Sequence, residues 1–568
     1  MDPGFRRDDR FVRTHRMTEP AADELLFLPL GGSGEIGMNL NLYGHAGRWL
    51  MIDLGIAFGD DDTPGIEVVM PDPGFIAERR DRLDGLVLTH GHEDHIGAVP
   101  YLWPALRCPI YATPFTAALV RRKLAEVGLQ DEAVITEIPM SGRVRIGPFE
   151  VELVTLTHSI PEPNAVVVRT RLGAVLHTGD WKLDPEPLIG EPADAAALRR
   201  LGSEGVLAMV CDSTNALVEG HSGSEADVRT ALDRVIGGLT QRVAVACFAS
   251  NVARLDTVAR IAARHGRHVG LVGRSLWRIE SAARETGYLA DLPPFVAEHE
   301  LGFLPRDKVL MVCTGSQGEP RSALARIARD DHPQVTLEAG DAVIFSSRVI
   351  PGNERAIFKL QDDLVRLGIE VLTDREHPVH VSGHPARAEL AEMYHWVRPR
   401  IAVPVHGEPR HLAAHAQLAR DCQVPEAVVP ENGQLIRLAP GPAGQIGEVP
   451  AGRLGLDGSA LVPVGGALMQ QRRRIAYGGV AVLTLVLDRR GALLAEPQLA
   501  APGLLDGGED AEIAEQVVAA VRDAIEALPP VLRREDDSVR EAGRLAVRRT
   551  FRALRDKKPV TEVQLVRV

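Results

Sequence analysis

Leu86-Val87-Leu88-Thr89-His90-Gly91-His92-Glu93-Asp94-His95 is the stretch on which the reading of this chain turns. An apolar run that predicts a buried strand ends abruptly in three histidines and an aspartate. His90 and His92 are two apart, so on extended backbone they point to one side. Asp94 and His95 follow at once, ahead of a glycine suited to a tight turn. That crowding supplies nitrogen and oxygen ligands for two metal ions rather than one. Imidazole and carboxylate with no thiolate nearby favour Zn²⁺, with Mn²⁺ or Mg²⁺ as substitutes. A polar loop with spare histidines is the plain alternative, but this spacing rarely fills a loop by accident.

The theme recurs along the chain. Residues 49–52 read as a strand ending at Asp53-Leu54-Gly55, where a carboxylate is placed to accept the second N–H of a ligating imidazole. Residues 144–156 alternate as one strand and end at Thr157-His158. Residues 174–176 end at His177-Thr178-Gly179-Asp180, residues 206–210 at Cys211-Asp212, and residues 401–405 at His406-Gly407-Glu408. His377-Pro378-Val379-His380-Val381-Ser382-Gly383-His384 is a histidine-rich loop. His177 is taken as structural, and Glu408 is expected to cap or orient its loop. Residues 25–30 and 39–43 are further strands, and residues 96–105 and 114–127 are helices. Residues 60–75 form a long polar loop.

At 568 residues the chain is too long for one core, so several domains are expected. From about 221 to 375 strands and helices alternate. Corners such as Phe248-Ala249-Ser250-Asn251 and Ser346-Ser347-Arg348 lie where an α/β domain places anion-binding N–H groups. Residues 438–470, rich in Gly and Pro, read as a linker. From 476 onward two strands (478–487 and 493–499), two amphipathic helices (511–528 and 538–555) and a last strand (560–568) form a small α+β unit. Its basic residues, Arg472-Arg473-Arg474 and Lys557-Lys558 among them, are read as a solvated face rather than an RNA site.

The opening sixteen residues carry five Arg and three Asp without an apolar segment, so they are not a secretory signal. They are set aside, with Met17 as a candidate start and residues 1–23 as a disordered or spurious extension. A net charge of −13 argues against a general nucleic-acid coat protein, though not against an enzyme with a local basic channel. Five scattered cysteines without a CxxC pair fit a reducing cytoplasm. No apolar run reaches the length of a membrane span.

The set Asp53, His90-x-His92-x-Asp94-His95, His158 and Asp180 resembles the metallo-β-lactamase superfamily over about residues 24–215 and 385–437. Asp212, His384 and His406 match the three motifs of its β-CASP branch, whose members act on nucleic acids. Gly315-Ser316-Gln317-Gly318-Glu319-Pro320, His380-Val381-Ser382-Gly383-His384 and Pro404-Val405-His406-Gly407-Glu408 look like the bacterial ribonuclease J family. The resemblance implies an α/β fold: a metallo-β-lactamase αββα sandwich (24–220 and 379–440), an inserted β-CASP α/β domain (221–378), a linker (441–470) and a small α+β C-terminal domain (471–568). It implies two Zn²⁺ per chain. One ion takes His90, His92 and His158; the other takes Asp94, His95 and His406; Asp180 bridges them. Two ions about 3.5–4 Å apart activate water and hold the attacking and leaving oxygens. His384 or Asp94 protonates the leaving oxygen, and Asp212 orients a ligand or His384.

The implied activity is zinc-dependent phosphodiester hydrolysis in mRNA decay and rRNA processing. It combines 5′→3′ exonuclease action on 5′-monophosphate RNA with endonuclease action. His380, Val381, Ser382 and Gly383, with His384, would floor a terminal-phosphate pocket, and Ser250 and Asn251 would wall it. For Ser250 and Asn251 a simple helix N-cap is an equal reading. RNA is the expected partner, with a homodimer or homotetramer, contacts to other RNA-decay factors and no membrane. The rival readings are a small-ester, thioester or lactam hydrolase of the same fold, a DNA-processing or mRNA 3′-end nuclease of the same branch, and a non-catalytic RNA-binding subunit. The inserted domain, His384 and His406 disfavour the first; the Gly-Ser-Gln-Gly-Glu motif disfavours the second; a complete ligand set disfavours the third.

Overall fold

In the computed structural model, which describes residues 20–350, 352–506 and 508–568, the strand Asn164–Thr170 points Val166 and Val168 to one side and Ala165 and Val167 to the other. The first side meets Phe27, Tyr43 and Leu50 of a facing sheet. The second packs beneath Leu198 and Leu201 of the helix Ala195–Glu204 and Leu390 and Met393 of the helix Arg387–Val397. Burial of both faces makes the hydrophobic run continuous. One sheet of eight strands and one of seven therefore form a sandwich, with helices outside.

The eight-stranded sheet opens with the antiparallel run Leu25–Gly31, Leu40–His45, Arg48–Ile52 and continues in parallel through Leu83–Val87, Ile110–Ala112 and Ile135–Glu137. The seven-stranded sheet holds Phe149–Thr155, Asn164–Thr170 and Gly173–His177, then Ala208–Asp212 beside Ile401–Val405 in parallel. Between residues 212 and 401 the chain builds a separate five-stranded sheet in the order His268–Val272, Val309–Cys313, Val243–Ala246, Ala342–Phe345, Glu370–Leu372. All its pairs are parallel and its central strands are fully buried, as crossover helices on both faces require.

These elements belong to one compact unit, which runs to Ala57 and resumes over Met70–Ala451; a second comprises Phe58–Val69 and Gly452–Val568. In the second, Val480–Leu487 buries every other residue and pairs in parallel with Val560–Arg567. The helices Ala511–Glu526 and Asp536–Arg555 make the crossover and cover that face with Val517, Val521, Val547 and Phe551.

Several expectations need correction. Residues 144–156 are a hairpin, Arg143–Ile146 against Phe149–Thr155, because the alternation of buried positions runs on through the turn at Gly147. Residues 96–105 are split between Glu93–Ile96 and Val99–Leu106. Pro100, which lacks an N–H, suits the first turn of the second helix. Residues 441–470 are not a bare linker: they carry Gly444–Glu448, Arg453–Asp457 and Ala460–Pro463, with glycines in the turns between them. Residues 467–478 form a helix, and the strand expected over 493–499 shrinks to Gln498–Ala500. Residues 60–75 include the strand Val68–Pro71. What was expected of residues 1–19 lies outside the described residues. Residues 20–22, expected to lie outside the fold, are tied to it: Gly47 and Ala46 donate their N–H groups to the carbonyls of Pro20 and Ala21.

Candidate metal centre

Six chemistry-bearing residues stand at or just past the ends of sandwich strands. Asp53 follows Arg48–Ile52, His90 follows Leu83–Val87, His158 follows Phe149–Thr155, Asp180 follows Gly173–His177, Asp212 closes its strand and His406 follows Ile401–Val405. The sheets thus deliver side chains from six strand ends to one edge. Asp53 and His406 both adopt left-handed backbone, φ 63° and 52°. Such conformations cost about 1–3 kcal/mol each and persist where the surroundings over-determine them.

Three donor groups form there, and the third, Asp180, Asp212, His384 and His406, overlaps the second. His90, His92, His158 and Asp180 place ligand atoms within 4.8 Å of one another, and so do Asp94, His95, Asp180 and His406. His92 Nδ1 lies 3.1 Å from His90 Nε2 and 3.0 Å from His158 Nε2. One ring proton cannot serve both neighbours, whereas nitrogens sharing a tetrahedral ion stand at about such separations. Asp180 Oδ2 lies 3.2 Å from His95 Nε2, 3.5 Å from His406 Nε2 and 3.9 Å from both His90 and His158 Nε2, so it faces both of the first two groups. Asp180 Oδ1 and His406 Nε2 are buried with no hydrogen-bond partner among the described residues. Orphaned acceptors inside an all-N/O donor set are what resident divalent cations satisfy, so these residues fit two ions.

Electrostatics agree. Burial, reinforced by the neighbouring histidines, pushes His90 and His158 well below the usual imidazole range, and burial takes His92 to about 4. These three rings are therefore neutral, the form that ligates, whereas for His95 burial is outweighed by Asp180, Asp94 and Asp53, which hold it well above the imidazole range. Burial alone would raise Asp180, but His406 and His95 hold it well below the carboxylate range, as an anion.

A surrounding layer of hydrogen bonds aims the rings. His95 Nδ1 donates to Asp53 Oδ2 at 2.7 Å, and Thr89 donates to the same carboxylate through N–H and hydroxyl at 2.8 and 2.9 Å. His90 Nδ1 lies 3.0 Å from that hydroxyl. His158 Nδ1 donates to the Gly383 carbonyl at 2.5 Å, and His406 Nδ1 to Asn39 Oδ1 at 3.1 Å. Asn39 also donates to the Asp94 carbonyl. Close approach explains two glycines. A Cβ on Gly55 would lie 1.7 Å from the Asp94 carbonyl oxygen, and one on Gly383 2.6 Å from the His158 ring. Asn39 and Thr89 escaped the sequence argument, because a lone Asn or Thr in a strand or loop carries no signal.

His384 stands beside the second group, with Nδ1 2.8 Å from Asp212 Oδ2 and 3.9 Å from Asp180. Burial opposes its charge, yet Asp212 and Asp180 together raise it to about 9. Thr214 fixes Asp212 with two hydrogen bonds, from N–H at 2.8 Å and hydroxyl at 2.7 Å.

Comparison with known proteins matches this architecture part by part. Residues 38–237 match the metallo-beta-lactamase superfamily, 240–364 the ribonuclease J beta-CASP domain, 368–428 a Zn-dependent metallo-hydrolase RNA specificity domain, and 467–568 the ribonuclease J C-terminal domain. A ribonuclease J of Sinorhizobium meliloti is 46% identical over 551 residues, 96% of this chain and 98% of the relative. The chain belongs to the ribonuclease J family. The family's similarity extends to a ribonuclease J of Mycobacterium tuberculosis (41% identical, 88% of this chain and 89% of the relative) and one of Thermus thermophilus (36% identical, 91% of each). A solved structure of a protein of unknown function from Enterococcus faecalis shares the fold, with TM-score 0.51 at 15% identity over 73% of this chain and all of that one.

Within this ribonuclease J fold the segment from His380 to His384 lies against the metal centre through Gly383 and His384. Ser382 Oγ accepts from Asn215 Nδ2 at 2.8 Å and from the His384 N–H. His380 Nδ1 is buried and unpartnered among the described residues. Asn251 caps the helix Val252–Arg264, accepting from the Arg254 N–H at 2.9 Å, and its amide reaches Glu225. Its side chain is thus committed to the cap. Ser250 precedes it, half-buried. The link between the two segments is Arg254, which the sequence did not flag: it pairs with Glu225 at 3.0 Å and donates to the carbonyls of Ser346 and Val379. His177 is structural as expected, held 3.1 Å from the Tyr43 hydroxyl, and burial lowers it to about 4. Glu408 stands at the N-cap of the helix Pro409–Asp421 with its N–H donated to His411 Nδ1.

Asp53→Ala should lower metal affinity at the His95 group about 10–100-fold, because the ring loses the acceptor that fixes its tautomer. Metal titration followed by calorimetry reads this directly. Unchanged affinity would mean that packing alone orients His95.

Proposed function

We propose that this chain is a two-metal ribonuclease that trims RNA from a 5′-monophosphate end in the 5′→3′ direction and also cuts internally. The observation that carries this reading is the pair of donor groups sharing Asp180, with the Asp212–His384 couple beside them. His90, His92 and His158 would hold one Zn²⁺, Asp94, His95 and His406 the other, and Asp180 both; Mn²⁺ or Mg²⁺ suit the same donors less closely. Bound there, the ions would supply Lewis acidity and make water acidic enough to attack near neutral pH.

The chain's own residues do the rest. His384 has Nδ1 committed to Asp212, which leaves Nε2 to donate to a phosphoryl oxygen or to the departing 3′ oxygen. Asp94 is the alternative proton donor to that oxygen. Water, not the ribose 2′-OH, attacks the phosphorus, so the products carry 5′-phosphate and 3′-OH ends. The polar floor at His380, Val381, Ser382 and Gly383 would receive the terminal phosphate, with the unpartnered His380 Nδ1 free for it. Ser250 would line the far side, while Asn251 contributes by holding the helix start. Parallel sheets with helix N-termini at their corners favour anions in this way.

The five dispersed, unpaired cysteines and the absence among the described residues of a helix long and apolar enough to cross a membrane support action on cellular RNA in the cytoplasm. The family relationship supports roles in mRNA decay and rRNA processing, assembly as a homodimer or homotetramer, and contact with other RNA-decay factors.

The test uses one RNA labelled at its 3′ end, bearing either 5′-monophosphate or 5′-triphosphate, with wild type and His92→Ala. The monophosphate form should disappear at least about tenfold faster, a difference of about 1.4 kcal/mol in the barrier. It should release mononucleotides, and His92→Ala should stop it. Equal internal cutting of both RNAs would remove the terminal-phosphate pocket.

A further inference from the structure

One strongly basic surface on the C-terminal unit takes no part in the site above. The end of the helix Ala467–Gly478 contributes Arg473 and Arg474. The helix Asp536–Arg555 adds Arg544, Arg548 and Arg552, spaced four apart and so stacked along one face. The turn after it adds Lys557 and Lys558. Together they line a concavity of about 990 Å³, in which Asp556 is the sole carboxylate among the described lining residues. The sequence showed two short basic runs, at 472–474 and 557–558, far apart in the chain; folding joins them to a helical stripe.

Three observations set this surface apart from a solvated face. Within the unit Arg522 pairs with Glu496, Arg567 with Asp536 and Arg472 with Asp457, and in the stripe itself Arg544 pairs with Glu541. Arg474, Arg548, Arg552 and Lys558 have no carboxylate partner among the described residues. Like charges four apart on a helix repel and destabilise it, so the stripe carries a cost that a polyanion would offset. Finally, Tyr477 lies on the same concavity with 78% of its surface exposed, and Lys557 donates to its carbonyl at 3.0 Å, fixing the turn to the helix.

We propose that this surface binds the backbone of single-stranded RNA, with Tyr477 stacking on a base. Guanidinium forks match phosphate oxygens, and successive arginines of the stripe rise about 6 Å, on the scale at which an extended strand presents its phosphates. An exposed aromatic amid cations suits unpaired bases, which a duplex would hide and an acidic protein would lack. That the polyanion is RNA rests on the ribonuclease reading; the surface itself is independent of the metal centre.

The test measures binding of the full metal-loaded chain to a labelled single-stranded phosphorothioate RNA of about 30 nucleotides, longer than one stacking site and resistant to hydrolysis, across a salt series. Arg548→Gln with Arg552→Gln should raise Kd at least about tenfold at low salt and lower the slope of log K against log salt by about 1–1.5, as expected for two lost phosphate contacts. Tyr477→Ala should weaken binding about fivefold or more, and Tyr477→Phe should restore it. Hydrolysis of a 5′-phosphorylated dinucleotide, which has too few phosphates to engage the arginine stripe, should be unchanged in every variant. If wild type fails to cleave that dinucleotide, the ribonuclease reading fails while the binding comparison still reads out. An unchanged Kd and salt slope in the double variant would overturn the proposal. So would a shift in oligomeric state by sedimentation with RNA affinity intact, which would assign the surface to a second copy of the chain.

Discussion

Asp180→Asn is expected to abolish hydrolysis and, on the two-metal reading proposed above, to reduce bound metal from two ions per chain to one or none. The substitution keeps the shape of the side chain and removes its charge. Asp180 is buried, faces five imidazole nitrogens at 3.2–3.9 Å and is the one group common to both donor sets. No other carboxylate of the described residues occupies that position, so the first set would offer only neutral histidines and the second would keep Asp94 as its one anion. Losing about 4 kcal/mol or more of transition-state stabilisation corresponds to at least about a thousandfold in rate. The fold should survive, because the sandwich core lies among residues such as Val166, Phe27 and Val210, away from this edge. Elemental analysis and single-turnover cleavage are the measurements. Two ions retained with rates near wild type would refute a shared role for Asp180.

The second large effect is on stability. Arg254→Met should destabilise the chain by about 3–5 kcal/mol, seen as a fall of about 10 °C in melting temperature. Arg254 and Glu225 are both buried and paired at 3.0 Å, and the guanidinium also serves the Ser346 and Val379 carbonyls. Removing it leaves a buried carboxylate without its paired cation and the Ser346 carbonyl without that donor, while the Ser346 hydroxyl still serves the Val379 carbonyl. Glu225→Gln with Arg254→Met should recover part of the loss, since the double variant buries no charge. The pH dependence has a definite sign. In wild type, burial would raise Glu225, but Arg254 holds it below the ordinary carboxylate value. The pair's contribution is therefore present above the unfolded value of about 4 and is lost as pH falls through the lowered folded one. In Arg254→Met only Lys182 and Asn251 still oppose burial, so Glu225 protonates more readily in the folded state and the variant loses less stability than wild type as pH falls. Parallel acid profiles for both proteins would show that the pair is merely a surface contact.

Much of the metal centre was legible in the sequence, because ligands crowd at strand ends and a strand end is a local signal. His90 to His95 announce themselves by spacing, and His158, Asp180, Asp212 and His406 each follow an apolar run. The strand Ile401–Val405 was also legible to the residue, since it is a short apolar block ending in a ligand. Where the pattern was carried through a turn, as at Gly147, periodicity merged two elements into one. Where Gly and Pro marked hairpin turns after residue 441, composition passed for a linker.

What the sequence determined by itself was the inventory of donors, the alternation that builds two facing sheets, and the α/β rhythm of the insertion, because these depend on neighbours a few residues apart. What only the tertiary structure decided were meetings between distant residues. Asn39 reaches His406 across 367 positions, Gly383 takes the proton of His158 across 225, and Arg254 joins Glu225 to Val379. Two basic runs close with a helical stripe around Tyr477. Each of these rests on one polar or charged group finding its partner through the packing of separate elements. Such a pairing leaves no period in the chain, and it is fixed only when the cores that carry the elements have formed.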